Sequence, residues 1–71
     1  MTEVVDADEV LRRLRRGRDR AAEEERRWRE RALNLTATDP DGAREASIRA
    51  EAYGAALLVL HEVVDPGSAP P

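Results

Sequence analysis

Four glutamates in the middle of this chain have a spacing that could hold a metal ion. They are Glu23, Glu24, Glu25 and Glu30. On a helix, such carboxylates can supply the oxygen ligands that Mg²⁺ prefers. Arginines stand among them, however, and acids followed four residues later by bases are typical of a solvated helix surface. The pattern therefore predicts a ladder of ion pairs and no metal site. The arginines are Arg26, Arg27, Arg29 and Arg31.

The same cluster is similar in part to the magnesium-holding helices of all-α nucleotide pyrophosphohydrolases. Those helices carry an E-E-x-x-E pattern, which an E-x-x-D pattern on a second helix completes. Here Arg27 stands where the first pattern requires its last glutamate. The glutamates that a second helix offers are Glu45, Glu51 and Glu62. A glycine-rich phosphate loop and a nucleophile–base pair are also missing. We therefore expect a protein that is not an enzyme and binds no cofactor.

Cysteine and histidine usage excludes other common supports of a small fold. The chain has no cysteine and one histidine, so disulfides, thiolate metal sites and histidine clusters are excluded. Oligomerisation or partner binding is the support that remains for a domain of this size. His61 could titrate near neutral pH. Its place near the end of a predicted helix favours an interaction with the helix dipole over a pH-sensitive interface.

Residues 10–20 carry six arginines and one acid, a block of charge +5 in a chain of net charge −3. Such a block could neutralise several phosphates of a nucleic acid. Acidic residues lie directly before it, and no aromatic residue interleaves with it for base stacking. We therefore favour a solvated or interface surface, and nucleic-acid binding is the alternative function. Its contacts would be Arg12, Arg13, Arg15, Arg16, Arg18 and Arg20.

Two long helices and one break position these residues. Asp6 predicts the N-cap of the first helix, with Glu9 as its capping-box partner. Asp39 predicts the N-cap of the second helix, because Pro40 suits a first helical position. The expected bounds are a short N-terminal arm at 1–5, a helix at 6–35, a turn at 36–39, a helix at 40–64 and a disordered tail at 65–71.

Ion pairs support the first helix and one glycine weakens it. Pairs with the acid four residues before the base are expected to contribute about 0.2–0.5 kcal/mol each. Gly17 costs about 1 kcal/mol relative to alanine, and a continuous helix, a kink at Gly17 and two shorter helices all agree with the sequence. The predicted pairs are Asp8/Arg12, Glu9/Arg13, Glu23/Arg27 and Glu25/Arg29.

The second helix carries two apolar stripes. Residues 52–60 are all apolar or small, and a helix that is apolar on every side needs more than one partner. One stripe has heptad spacing and predicts an antiparallel coiled-coil contact with the first helix, in an all-α hairpin. The other is left for another chain. A homodimeric four-helix bundle is the simplest closed assembly, with larger rings as alternatives. The first stripe is Ala43, Ala46, Ala50, Tyr53, Leu57, Leu60 and Val64, and the second is Ile48, Ala52, Ala55, Val59 and Val63.

Three further residues are predicted to contribute to the self-interface or partner interface. Gly54 continues a row of small residues with Ala46 and Ala50, which predicts a close helix crossing. Tyr53 is expected to tune partner choice. Trp28 is expected either as an interface anchor, since tryptophan is enriched at hot spots, or as the largest core residue.

Two segments of the second helix, residues 49–57 (RAEAYGAAL) and 61–67 (HEVVDPG), resemble the closing helix of small uncharacterised hairpin proteins encoded by actinobacterial phages. The resemblance implies a small accessory factor that binds a host protein, and no functional residues carry over from it. No secretory signal or membrane-spanning stretch stands out, so we expect a cytoplasmic protein without membrane contact. The function predicted from the residues is self-association and protein–protein interaction.

Overall fold

Two antiparallel α-helices joined by a short turn make up the computed structural model, which describes residues 6–67. Helix α1 is Ala7–Leu35 and helix α2 is Pro40–Val64. The described residues contain no strand, and the predicted all-α hairpin is confirmed. Self-association of the hairpin stays a prediction. The arm predicted at 1–5, and residues 68–71 of the predicted tail, lie outside the described residues.

Aspartate side chains that accept from backbone amides start both helices. Asp6 Oδ1 accepts from the backbone N–H of Glu9 at 2.8 Å, and Asp39 Oδ1 accepts from that of Gly42 at 3.0 Å. Both are the N-caps that the sequence predicts. A capping box would turn the Glu9 carboxylate back to Asp6, but that carboxylate accepts hydrogen bonds from two arginines. Charge-assisted bonds of this kind are stronger than a bond to a neutral amide.

One residue of the turn serves both helices. The backbone N–H of Asp39 donates to the carbonyl oxygen of Leu35 at 2.8 Å, which closes the end of α1. Its side chain caps the start of α2. Thr36 Oγ1 donates to the carbonyl oxygen of Ala32 at 2.8 Å, which satisfies another carbonyl at the same end. These bonds hold the turn short and the helices antiparallel.

Helix α1 continues through Gly17 as one element of 29 residues. A Cβ built at Gly17 would lie 4.0 Å from Leu60 Cδ1, so this glycine faces α2 with room to spare. The alternative of two shorter helices is therefore excluded.

The helices meet along a seam of apolar residues at heptad spacing. Its most buried members are small, since Ala46 and Ala50 expose 1% and 2% of their surface. The larger members are mostly half-buried, and no large side chain among the described residues is completely buried. The core of the hairpin is therefore thin. The seam consists of Leu11, Leu14, Ala21, Trp28 and Leu35 on α1, and of Ala46, Ala50, Leu57, Leu60 and Val64 on α2.

Two polar side chains of α1 interrupt the seam. Arg18 Nη1 donates to Asp65 Oδ2 at 2.8 Å, which joins α1 to the C-cap of α2. Glu25 lies over Gly54, where a Cβ would be 2.5 Å from Glu25 Oε2. Arg18 and Glu25 are positions at which the apolar pattern of the first helix thins. Polar contacts there replace apolar packing.

Candidate interaction surfaces

The second apolar stripe of α2 faces solvent. Ile48 and Val59 expose 61% and 60% of their surface. Successive α-helical residues are about 100° apart, so Val59 lies about 200° around the helix from Leu57 of the seam. The stripe therefore lies on the side of α2 opposite α1, and we call it the outer stripe. Its residues, all exposed, are Ile48, Ala52, Ala55, Val59 and Val63.

Charge divides the outward side of α2 into two halves. The N-terminal half carries two exposed ion pairs, Arg44–Asp41 at 3.7 Å and Arg49–Glu45 at 3.1 Å. Residues 52–60 carry no charge, and Leu58 beside the outer stripe is exposed as well. The exposed apolar surface is thus concentrated in the C-terminal half of α2. Exposed apolar patches of this kind mark interaction sites.

Trp28 lies inside the hairpin. Its ring is half-buried in the seam, and the Arg49 guanidinium carbon lies 4.7 Å from the ring centroid. That distance is typical of a cation–π interaction. The Trp28 Nε1 is buried and has no hydrogen-bond partner. Trp28 therefore packs as the largest residue of the seam.

Tyr53 and Gly54 also lie off the outer stripe. Tyr53 stays partly exposed, whereas Gly54 is half-buried and the Glu25 carboxylate occupies the space that a side chain would take. Burial of Ala46 and Ala50 agrees with a close helix approach, but at Gly54 a side chain of α1 fills the gap. Of the eight predicted interface residues, five share one exposed face and three do not.

The Glu9 carboxylate contacts three members of the arginine block. Its carboxylate lies 2.8 Å from Arg12, 3.1 Å from Arg13 and 3.7 Å from Arg16. Hydrogen bonds from Arg12, and then from Arg13, hold the pKa of Glu9 below its ordinary value. The predicted Asp8/Arg12 pair is wrong, because Arg12 binds Glu9.

Two of the other three arginines in the block are also paired. Arg18 lies 2.8 Å from Asp65 and 3.3 Å from Asp19, and Arg20 lies 3.1 Å from a glutamate of the next turn. Among the described residues, Arg15 is the one member of the block that forms no salt bridge. Carboxylates of Glu9, Glu24 and Asp65 thus offset part of the charge of the block, and this weakens the alternative of nucleic-acid binding.

Arginines bind three of the four glutamates of the cluster, and Glu30 forms no salt bridge among the described residues. The predicted pairs Glu23/Arg27 and Glu25/Arg29 are confirmed at 3.5 Å and 2.9 Å, as is the Glu9/Arg13 pair. The part of the chain that the structure describes holds no group of three or more histidine, cysteine or acidic residues placed to bind a metal ion. The cluster is a ladder of ion pairs.

Sequence reasoning missed the burial of one member of that cluster. Glu24 exposes only 7% of its surface and binds Arg20 and Arg27, each at 3.1 Å. The available signal was its position three residues after Ala21 and four before Trp28, which places it on the seam side of α1.

A second missed feature is an open depression of about 530 Å³ beside the turn. Its walls are mostly small or apolar residues of both helices, and Leu33 at its rim exposes 77% of its surface. Leu33 is the most exposed large apolar residue of the described chain. It belongs to α1 and is not part of the outer stripe, although the depression also includes Ser47, the neighbour of Ile48.

His61 lies beside the ion pair that joins the helices. Its Nδ1 is 3.8 Å from Asp65 Oδ2, the oxygen that accepts from Arg18. A protonated His61 would thus share Asp65 with Arg18.

No family model, curated protein or solved structure matches this chain. Within residues 6–67, neither helix is long and apolar enough to cross a membrane.

Proposed function

We propose that this protein is a self-associating helical hairpin that acts by protein–protein interaction and not by catalysis. The observation that supports the proposal best is the outer stripe, an exposed apolar face on the side of α2 opposite the seam. A second copy would cover it.

The thin core of the hairpin supports the same proposal. The buried apolar residues of the described chain are Ala21, Ala46, Ala50 and Val64. Burying a valine or isoleucine side chain contributes roughly 1.5–3 kcal/mol relative to leaving it exposed. The large residues of the outer stripe can thus supply the stabilisation that a fold of this size lacks alone.

A host protein is a second partner in the finer form of this proposal. The resemblance of residues 49–57 and 61–67 to actinobacterial phage proteins supports that role and a cytoplasmic location. Tyr53 and the arginine-rich surface of α1 stay exposed in a self-associated hairpin and would contribute to the contact.

Absolute mass in solution tests self-association. Light scattering on a sizing column should give an oligomer for the wild type and a smaller mass for Val59→Glu, because a carboxylate in an apolar interface is costly. Val59 is exposed in the hairpin, so the substitution leaves the seam intact. Loss of helix together with loss of the oligomer would also support the proposal, since the thin core would then depend on assembly.

Leu33→Glu is the matched control, since it places the same charge at an exposed apolar residue of α1 that is not a member of the outer stripe. It should keep the wild-type mass. A folded wild-type monomer of 7.9 kDa would overturn self-association, and so would a Val59→Glu protein that keeps the oligomer.

A charge reversal that leaves the contacts between the two helices intact tests nucleic-acid binding, the alternative function. Arg15→Glu with Arg16→Glu removes two exposed charges and leaves the pair between Arg18 and Asp65 intact. Salt-sensitive retention on DNA by the wild type, lost in this variant at unchanged mass, would favour the alternative function.

A further inference from the structure

Helix α1 has no second apolar face to offer. The seam uses its apolar residues, and the opposite side is charged and exposed. Its exposed large apolar residues within 7–35 are Val10 and Leu33. They are 23 residues apart in the sequence, or about 35 Å along a helix, so they cannot form one contact patch. The residues of the charged side are Arg12, Arg16, Asp19, Glu23, Arg27 and Glu30.

Helix α2 has two apolar faces, and they lie on opposite sides. The seam occupies one and the outer stripe the other, about 200° away at Val59 and Leu57. The centre of the outer stripe is small, with Ala52 and Ala55, and larger residues stand at both ends. Small residues at a helix crossing let two backbones approach closely, and a patch that packs against its own copy closes the assembly.

This arrangement does not suit a square four-helix bundle. In such a bundle each helix contacts two neighbours, at faces about 90° apart. Here α1 has one apolar face and the two faces of α2 are opposed. We infer that a second copy packs its α2 against this α2 through the outer stripe. The four helices then lie in a row, with both α1 helices outermost.

The inference rests on the proposed self-association and adds which helix forms the interface. A second copy is the expected partner of the outer stripe for two reasons. The single hairpin buries few apolar residues, and the uncharged segment 52–60 can pack against an identical segment without burying a charge. In the row, the ion-paired surface of α1 remains in water, so none of its charges is buried.

Single cysteine substitutions can test which helix forms the interface, because the native chain has no cysteine that would react as well. Ala55→Cys probes the outer stripe, Leu33→Cys the flank of α1 and Glu23→Cys its outward side. Each variant is first shown by light scattering to keep the wild-type mass. The rate of thiol alkylation is then measured with rising protein concentration. We expect the rate at Ala55→Cys to fall about tenfold or more as chains assemble, and the rates at the α1 positions to stay constant.

The outcomes distinguish the two proposals. Assembly with protection at Leu33→Cys or Glu23→Cys would place α1 in the interface, which overturns the row and leaves self-association standing. Assembly that leaves the alkylation rate at Ala55→Cys unchanged would also overturn the row and leave self-association standing. If Ala55→Cys alone fails to assemble, Ala52→Cys replaces it as the probe of the same face. A wild type that stays monomeric at every concentration would overturn the proposed function, and the row with it.

Discussion

The two helices of this hairpin differ in how their charged and apolar residues are arranged. Helix α1 carries most of the ion pairs, and its apolar residues form a single face. Helix α2 has fewer ion pairs and carries apolar residues on two opposed sides. The first helix is therefore complete once it meets its neighbour, whereas the second is not. The difference supports the proposal that α2 carries the association surface.

The two faces of α2 should respond very differently to the same added volume. Ala46→Leu places a larger side chain in the most buried position of the seam and should destabilise the hairpin by about 2 kcal/mol. Ala56→Leu, at a position exposed in the single hairpin, should change the stability of the unassembled chain by less than about 0.5 kcal/mol, so unfolding is followed below the concentration at which chains assemble. Urea unfolding at one protein concentration measures both. Equal effects would mean that the seam is not packed as described.

The two glycines of the seam region sharpen the comparison between the helices. Gly17→Ala on α1 should stabilise the protein by up to about 1 kcal/mol, because helix propensity improves and the new Cβ meets only Leu60 at ordinary contact distance. Gly54→Ala on α2 should raise the free energy of unfolding by less, because its Cβ would displace the Glu25 carboxylate. Thermal unfolding compares them. Adding Glu25→Ala to Gly54→Ala should restore the gain, and a failure to do so would show that another contact limits Gly54.

The ion pair between the helices should contribute more to stability than an ion pair within one helix. A double-mutant cycle on Arg18→Ala and Asp65→Ala should give a coupling of about 0.5–1 kcal/mol, reduced from a buried value because both side chains keep solvent contact. The same cycle on Arg49 and Glu45, an exposed pair within α2, should give about 0.3 kcal/mol. Denaturant unfolding of the single and double mutants yields both couplings. Equal values would show that Arg18 does not help to join the helices.

The smallest expected effect is the pH response of Glu9. Its pKa is lowered by hydrogen bonds from Arg12 and Arg13, so its contribution to stability is present above the ordinary pKa and is lost as pH falls through the lowered value. In an NMR titration, Arg12→Ala with Arg13→Ala should raise the pKa of Glu9 toward 4.5, the ordinary value. Arg15→Ala, which removes no salt bridge of the described residues, should leave it unchanged. An ordinary pKa for Glu9 in the wild type would contradict its ion pairs with Arg12 and Arg13.

Local signals in the sequence were enough to predict the fold. Asp6, Asp39 and Pro40 mark helix starts through bonds to nearby backbone, and heptad spacing identifies the seam. The outer stripe follows from the same periodicity, because α-helical geometry alone determines which residues share a face. These features depend on near neighbours in the chain, so the sequence contains them almost completely.

Choices among competing partners could not be predicted in the same way. Arg12 has Asp8 and Glu9 both within reach and binds Glu9. Glu25 fills the space at Gly54 only because the antiparallel pairing brings these two residues opposite each other. Glu24 is covered by two long arginine side chains whose rotamers the sequence does not specify. Side-chain competition and the register between helices decide these contacts.

The contact between Arg18 and Asp65 also has a topological consequence. It places the end of α2 beside Arg18, about 16 Å along α1 from its first residue, so both ends of the described chain lie in the same half of the molecule. A circular permutant that links these ends and is cut between Ala37 and Thr38 would keep both helices, and Asp39 could still cap α2. In such a permutant the order of the helices in the gene would be reversed while their packing stayed the same.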